Sequence, residues 1–422
     1  MQSFRAHIGG VASSPLVRAF IAFGSAEAAT RIVRLMSLLI IARLVTPEIF
    51  GAAALALSLF ELVRVLTNVG IGQRLVIASD EDLPALCETA YRLFWAVCLT
   101  TAAVQLSVAA ILAAFFSLHE PAAMLAILSL VYVIMPPGLV QIFLTIRANR
   151  MGAVARITSA QNIADSLLTV MLVVVWPTAW AIVLPKLLTA PVWTILARRT
   201  SAWAPSGIVL APASEFRTYG IAILGTEILT AVRLHGDKLV VGALLGQEML
   251  GIYYFAFNAG LGLTQSFVAA CNLIVFPHFA KAAAKDSLKE YRKAFAIGLA
   301  FIGPVCLAQA LLAPIYVPIV FGDNWTVAAP YVALLSCAAL PLYAGSLVGA
   351  KLRTVGLPQH ETIMTGCATA AAMIGLTVGA QSGLIGVCIG FASGLAIVFV
   401  PIAAASLTSE KFSFSAKTIA RG

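Results

Sequence analysis

Two segments of this chain, 200 residues apart, align without a gap and decide its architecture. Residues 25–51 read SAEAATRIVRLMSLLIIARLVTPEIFG, and residues 225–251 read GTEILTAVRLHGDKLVVGALLGQEMLG. The identical pairs are Glu27 and Glu227, Thr30 and Thr230, Leu39 and Leu239, Leu44 and Leu244, Glu48 and Glu248, and Gly51 and Gly251. Each segment is mainly apolar and ends in the same Glu-x-x-Gly turn. The match predicts an internal repeat whose two copies begin with equivalent helices.

The composition of the 422-residue chain predicts that these helices cross a membrane. Hydrophobic residues make up 61% of the chain and charged residues 11%, and its mean hydropathy is +0.97. Soluble domains are about 45–50% apolar and about 25% charged, so this chain could not cover its surface with polar groups in water. The same values exclude disorder, because disordered chains are poor in apolar residues. They predict an all-α polytopic membrane protein.

Apolar stretches of about 20 residues, the length that crosses a bilayer, predict twelve transmembrane helices. They cover residues 20–42, 52–69, 94–116, 121–146, 157–176, 179–196, 221–245, 250–274, 295–320, 328–348, 362–378 and 384–404. The longest polar connection lies near the middle of the chain and divides it into six-helix lobes over 1–200 and 221–422, with an inter-lobe loop over 201–220. An even number of spans per lobe makes the repeat parallel. Two such bundles around a central cavity are a recurrent transporter architecture.

The positive charge of the chain predicts its orientation. There are 27 Lys and Arg against 18 Asp and Glu, a formal net charge of +9. Basic loops stay in the cytoplasm, and with the N-terminus inside, 20 basic residues fall on the cytoplasmic side and only Arg43 on the other. Both termini are therefore predicted to be cytoplasmic. The basic run over 281–293 is expected to lie beside anionic membrane lipids, and nucleic acid is not an expected partner.

Charged residues within the predicted spans are candidates for function, because charge at membrane depth is costly and usually faces a cavity. Glu27, Arg31 and Arg34 are spaced i, i+4, i+7 and share one face of the first helix. In the second span, Glu61 and Arg64 are neighbours at i, i+3. The remaining ionisable residues of the spans are Asp165, Lys186, Glu227, Arg233, His235, Asp237 and Lys238.

Two interpretations of these charges stay open. In the first, Arg31, Arg34, Arg64 and Arg233 line a hydrated cavity, where guanidinium groups hold the oxygens of an anionic substrate bidentately. The carboxylates would then carry a coupling proton or sodium ion, and these candidates are Glu27, Glu61, Glu227 and Asp237. In the second, acids and bases neutralise each other as structural pairs between helices. The near balance of six basic and five acidic residues in the spans favours the second.

Motifs of enzymes and cofactor sites are missing from the sequence. It has no H-E-x-x-H, no P-loop and no glycine-rich nucleotide fingerprint, and its seven cysteines show no C-x-x-C spacing. We therefore expect no catalytic residues, no cofactor and no metal. With no nucleotide site on the chain, uphill transport must draw on an ion gradient, the membrane potential or consumption of the product.

Several short segments resemble a known family of membrane proteins. Residues 43–51, RLVTPEIFG, and 68–72, NVGIG, lie in the first half. The second half contributes 237–242, DKLVVG, then 249–253, MLGIY, and 317–325, VPIVFGDNW. In order and topology these segments are similar to the polysaccharide and O-antigen flippase family. That family belongs to the multidrug, oligosaccharidyl-lipid and polysaccharide exporter superfamily.

The resemblance implies a function. Such a protein would move a polyprenyl-pyrophosphate-linked oligosaccharide across a bacterial inner membrane by rocking two lobes around a basic cavity. Arg31, Arg34, Arg64 and Arg233 would bind the diphosphate and acidic sugars, and a polysaccharide polymerase and chain-length machinery would be partners. No aromatic ladder for sugar stacking stands out in the sequence. The alternatives are an ion-coupled multidrug or metabolite exporter of the related MATE type, and a non-transporting component of a polysaccharide synthase complex.

Overall fold

The structure, a computed structural model, describes residues 30, 32–207, 210–262, 264–265, 268, 287–354 and 357–408. Within these ranges the regular secondary structure is helical and contains no strand. The predicted all-α fold is therefore confirmed. Glu27, Arg31, part of the first and eighth predicted spans, much of the basic run over 281–293 and the C-terminal tail lie outside the described residues.

The described residues form two compact units, of which the first comprises those within Met1–Val45 and Leu55–His235. We number the helices in chain order, beginning with α1 over residues 32–44. The helices that follow are α2 (Pro47–Arg64), α3 (Ile71–Val76), α4 (Leu83–Phe116), α5 (His119–Leu128), α6 (Val131–Ile134), α7 (Pro136–Arg147), α8 (Met151–Val175), α9 (Ala179–Leu188), α10 (Ala190–Arg198) and α11 (Ser214–Ala256). A short 3-10 helix, Val65–Thr67, extends α2. The unit ends at His235, within α11.

The second unit comprises the described residues within Thr46–Ala54 and Gly236–Gly422. It takes in the rest of α11, in which Gly246 has non-helical backbone angles, and a π-helical turn over Phe257–Leu261. Its other elements are α12 (Ser287–Phe321), a 3-10 helix (Asp323–Ala328), α13 (Ala329–Cys337), α14 (Ala339–Thr354), α15 (Pro358–Gly379) and α16 (Gly383–Thr408). Large aromatic side chains fill its core, with Phe255 stacked on Trp325 at 4.2 Å between ring centroids.

The helices agree with the predicted spans. Among the described residues, eight helices are long and apolar enough to cross a membrane, or nine if a bent pair counts as one span. The segment Gln359–Thr408 counts once among them but contains the last two predicted spans, joined by a 3-10 turn over Ala380–Ser382. The bent pair is His119–Ile134 with Pro136–Arg147, which meet at 57°. Pro136 and Pro137 lack the backbone N–H that would continue the earlier helix, which explains the bend.

The connection between α10 and α11 packs against α4 within the first unit. The buried carboxylate of Glu88 accepts hydrogen bonds from the backbone N–H and the hydroxyl of Ser206. Thr89 donates from its hydroxyl to the carbonyl oxygen of Ala211 at 2.8 Å. Helix α11 then begins at Ser214, before the apolar stretch over 221–245, and the polar residues Ser214 and Glu215 lie in its first turn.

The aligned glycines of the repeat lie against each other within the second unit. A Cβ atom on Gly51 would overlap the carbonyl oxygen of Gln247, and one on Gly251 would overlap that of Pro47. Pro47 and Gln247 are themselves equivalent in the 200-residue offset, so the two contacts are reciprocal. Such reciprocity is what a two-fold axis produces, and it supports the parallel repeat predicted from the alignment.

Candidate functional site

A cavity of about 220 Å³ lies within the first unit. It is bordered by the end of α2, by α3 and α4, by the bent α6–α7 pair and by α11. One part of its lining is polar: Glu61, Arg64, Thr67, Asn68, Gln73, Glu227, Thr230 and His235. The other part is apolar or glycine: Val65, Gly70, Ile71, Gly72, Phe94, Met135, Leu139, Phe143, Ala231 and Leu234. The cavity therefore offers charged and hydrocarbon-like surfaces side by side.

Arg64 is the arginine of the polar lining, and its nearest anionic partner is Glu61. The Nε atom donates to Oε2 of Glu61 at 2.8 Å, and a terminal guanidinium nitrogen lies 2.6 Å from the same oxygen. The two residues are one helical turn apart on α2, as the sequence spacing predicts. The Arg64 side chain is nonetheless 46% exposed, so part of its guanidinium can reach an anion in the cavity.

The pair extends into a network of four charges. Lys186 of α9 places its Nζ 3.9 Å from Oε1 of Glu61 and 3.6 Å from Oδ2 of Asp165 on α8. Glu61 thus faces Arg64 with one oxygen and Lys186 with the other. Two bases and two acids give the network no net charge, as the pairing interpretation expects. Two of its members, Glu61 and Arg64, also line the cavity, as the substrate-binding interpretation expects of Arg64.

Glu227 of α11 completes the acidic part of the lining. Asn68 donates from its side-chain amide to Oε2 of Glu227 at 3.0 Å, across 159 residues of sequence. Asn68 belongs to the NVGIG segment, in which Gly70 has a positive φ of 67°. The left-handed backbone at Gly70 is available to glycine at little cost and ends the turn that presents Asn68.

An aromatic pair, which the sequence did not reveal, forms part of the apolar lining. The rings of Phe94 on α4 and Phe143 on α7 are nearly parallel, with 5.9 Å between centroids and 7° between planes. Gly72 makes room for this pair, because a Cβ at that position would overlap the ring of Phe143. Two aromatic residues 49 positions apart are thus placed together by the packing of α3, α4 and α7.

Replacing Gly72 with alanine should displace the Phe143 ring and destabilise the first unit. We expect a cost of about 1–3 kcal/mol, typical of overpacking, seen as a lower Tm in detergent. The variant Gly152→Ala is the control, because a Cβ at Gly152 meets nothing within 4 Å. Adding Phe143→Leu to Gly72→Ala should recover part of the loss. An unchanged Tm for Gly72→Ala would contradict the contact.

The other predicted site residues lie away from this lining or outside the described residues. Arg34 of α1 is exposed and has no ion pair with another described residue. Arg233 of α11 is also exposed and does not belong to the lining. Arg31 and Glu27 are not among the described residues. Of the eight candidates, the structure therefore brings together Glu61, Arg64 and Glu227.

Asp237 lies in the second unit, in a buried polar cluster. The Nζ of Lys238 contacts its two carboxylate oxygens at 2.9 and 3.0 Å, and the Tyr253 hydroxyl donates to Oδ2 at 3.0 Å. The same Nζ lies 3.7 Å from the centre of the Phe257 ring. A desolvated ammonium is stabilised by both a carboxylate and an aromatic face. The Asp237 carboxylate is thus paired with a buried cation next to it in the chain.

Groups that could hold a metal ion are missing from the described ranges: no three His, Cys, Asp or Glu side chains come together there. The described cysteines are free thiols, four of them buried. The groups that the cavity does present are the guanidinium of Arg64, the carboxylates of Glu61 and Glu227, and an apolar surface beside them.

Comparison with known proteins identifies relatives over much of the chain. Residues 40–330 match the family described as "Polysaccharide biosynthesis protein". The lipopolysaccharide biosynthesis protein WzxC of Escherichia coli K12 is 23% identical over 325 residues, which are 75% of this chain and 65% of that protein. The matches span less than two thirds of the length of the curated relatives.

Solved structures show the same fold. The lipid II flippase MurJ, in an inward closed conformation, aligns with a TM-score of 0.77 and 13% identity, covering 93% of this chain and 89% of its own. An inward-facing multidrug resistance MATE family transporter of the MOP superfamily aligns with a TM-score of 0.69 and 14% identity, covering 91% and 96%. The chain therefore has the MATE-like fold that the sequence predicted.

Proposed function

This chain belongs to the polysaccharide biosynthesis protein family, and we propose that it is a flippase for polyprenyl-pyrophosphate-linked oligosaccharides in a bacterial inner membrane. The chain would carry the anionic headgroup and its sugars between leaflets by alternating access. A diphosphate cannot cross about 30 Å of hydrocarbon unaided. A transporter that shields the headgroup removes this barrier while the lipid tail stays in the bilayer.

The observation that carries the proposal is the two-sided lining of the cavity. Arg64 offers charge-assisted donors to phosphate oxygens, and the adjoining Phe94–Phe143 pair and aliphatic residues offer apolar surface. A phosphate bound to guanidinium next to hydrocarbon is the chemistry of an amphiphilic anion. The lipid II flippase MurJ has the same fold, which supports transport of a lipid-linked headgroup.

The other predicted cations and carboxylates receive proposed roles around this cavity. Arg31, Arg34 and Arg233 would bind the substrate at other stages of the cycle. Glu61 and Glu227, which line the cavity, and Glu27 would carry a coupling ion. For Asp237 the same role would require separation from Lys238, whose ammonium contacts both of its oxygens.

The arrangement in the membrane is proposed from the distribution of charge. Both termini would be cytoplasmic, with a six-helix lobe over 1–200, an inter-lobe loop over 201–220 and a second lobe over 221–422. The protein would act without catalysis or cofactor, contact membrane lipids, and supply a polysaccharide polymerase and its chain-length machinery.

A MATE-type exporter of organic cations is the second candidate, favoured by two observations. Glu61 and Glu227 place two carboxylates at the cavity, and a multidrug transporter shares the fold. Arg64 at the same cavity opposes a cationic substrate by charge repulsion, which is why we rank this function below the flippase.

Reconstitution tests the proposed function. In proteoliposomes of Escherichia coli lipid, the full chain should speed the transfer between leaflets of a polyprenyl-pyrophosphate-linked disaccharide with a fluorescent label. It should not accumulate ethidium, the cationic probe. Ethidium transport without transfer of the lipid-linked sugar would establish the exporter instead. Activity toward neither probe would indicate a non-transporting component of a synthase complex and would overturn the proposal.

A further inference from the structure

The Glu61 carboxylate occupies the position that an anionic headgroup would need. It accepts both contacts that Arg64 makes within α2, at 2.8 and 2.6 Å. A phosphate that approaches Arg64 must therefore compete with a carboxylate already in place. Nothing else in the described part of the cavity presents a carboxylate to Arg64 at such a distance.

Lys186 lies where it can pair with Glu61 once a substrate anion has displaced Glu61 from Arg64. Its Nζ lies between two carboxylates, at 3.9 Å from Glu61 and 3.6 Å from Asp165. Both distances exceed those of a direct hydrogen bond, so the ammonium is directly hydrogen-bonded to neither carboxylate. A lysine head on a four-carbon stem reorients readily, and a small shift would bring it onto Oε1 of Glu61.

We propose that Glu61 is an internal substitute for the substrate anion, exchanged between Arg64 and Lys186 in each transport cycle. This inference rests on the proposed flippase function and names the residues that regulate binding at its cavity. Without substrate, Glu61 neutralises Arg64. With a diphosphate on Arg64, Glu61 pairs with Lys186, and its return to Arg64 promotes release. Lys186 and Asp165 are positioning residues that act through Glu61.

The charge balance of the network explains why a second cation is needed. Arg64, Glu61, Lys186 and Asp165 sum to zero, so this network carries no net charge before a substrate binds. If Lys186 were absent and a phosphate bound to Arg64, Glu61 would lie beside the bound anion with no cation left to pair with it. Like charges in a partly desolvated site repel strongly. Lys186 removes this repulsion and therefore stabilises the state in which the headgroup is bound.

Equilibrium binding of tritiated farnesyl diphosphate to the purified full chain in detergent tests the exchange, with farnesol as the uncharged control. Glu61→Gln should bind farnesyl diphosphate about fivefold more tightly, the equivalent of one released ion pair. Lys186→Met should bind it about fivefold more weakly. Asp165→Asn should tighten binding modestly, because Lys186 is then free for Glu61. In reconstituted transport, Glu61→Gln should lower both the apparent KM and the turnover.

The double variant Glu61→Gln/Lys186→Met separates exchange from direct contact. It should bind like Glu61→Gln alone, because Lys186 acts through Glu61. The exchange would be overturned if Lys186→Met weakened binding of farnesyl diphosphate equally in the wild type and in Glu61→Gln. It would also be overturned if Glu61→Gln bound farnesyl diphosphate no more tightly than the wild type. Lys186→Arg retains the cation and should therefore retain the binding that Lys186→Met loses. Glu120→Gln changes an exposed glutamate at the start of α5 and is the control expected to bind like the wild type.

Failure of the exchange and failure of the flippase function give different results. If the wild-type chain binds farnesyl diphosphate no better than farnesol, the anion site itself is wrong. If it prefers the diphosphate and Glu61→Gln does not tighten binding, the anion site stands and the exchange is wrong.

Discussion

Arg64→Ala should reduce transfer of the lipid-linked sugar by about thirtyfold or more. Each hydrogen bond to a charged group contributes about 1.5–3 kcal/mol, and about 1.4 kcal/mol corresponds to a factor of ten. Arg64 is the arginine of the cavity lining, so its loss also leaves Glu61 without its closest partner. The measurement is the initial rate of transfer in proteoliposomes, normalised to reconstituted protein.

The matched control for Arg64→Ala is Arg156→Ala. Arg156 on α8 is exposed and donates to the carbonyl oxygen of Gly152 in its own helix at 3.2 Å. It lies outside the cavity lining, so its rate of transfer should match the wild type. A full rate in Arg64→Ala would show that the cavity arginine does not bind the substrate. Arg34→Ala, tested beside it, asks whether the exposed arginine of α1 contributes at another stage.

Gly51→Ala and Gly251→Ala should each destabilise the folded chain by about 3 kcal/mol, at the upper end of the range for overpacking. The added Cβ in each variant meets a carbonyl oxygen of the facing helix. Backbone atoms cannot turn aside as a side chain can, so the helices must separate. Thermal unfolding in detergent should show a lower Tm and a smaller yield of monodisperse protein.

Gly303→Ala is the control for the glycine contact. A Cβ at Gly303 meets nothing within 4 Å on α12, and alanine is the better helix former by about 1 kcal/mol. Its Tm should equal or exceed that of the wild type. If Gly51→Ala and Gly251→Ala unfolded at the wild-type temperature, the close approach of the two backbones would be refuted.

The fold was largely predictable because its causes are local and periodic. An apolar stretch long enough to cross a bilayer forms a helix whatever its neighbours are, since only a helix satisfies its backbone polar groups in lipid. The repeat was detectable because Gly51 and Gly251 stand at the same position relative to the apolar residues that precede them. The 57° bend at Pro136 follows from proline chemistry but was not predicted, because the apolar stretch runs through it.

The composition of the cavity was predictable only in part, because it depends on which helix faces meet. Glu61, Arg64 and Glu227 were identified from their rarity at membrane depth. Spacing within one helix did not distinguish Arg64, which lines the cavity, from Arg34, which does not. Contacts such as those of Asn68 with Glu227 and of Phe94 with Phe143 join distant segments. Their signal lay in the NVGIG segment, whose Gly72 makes room for Phe143.

The reciprocal contact of Gly51 and Gly251 has a consequence for the evolution of the chain. Each copy of the repeat packs its glycine against the residue that, in the other copy, stands four positions before the equivalent glycine. A larger side chain in one copy therefore encounters the other copy's backbone and cannot be accommodated by changes within its own half. The two halves can differ in their cavity residues, as at Arg64. At this helix crossing, by contrast, a change in one half must be matched by a change in the other.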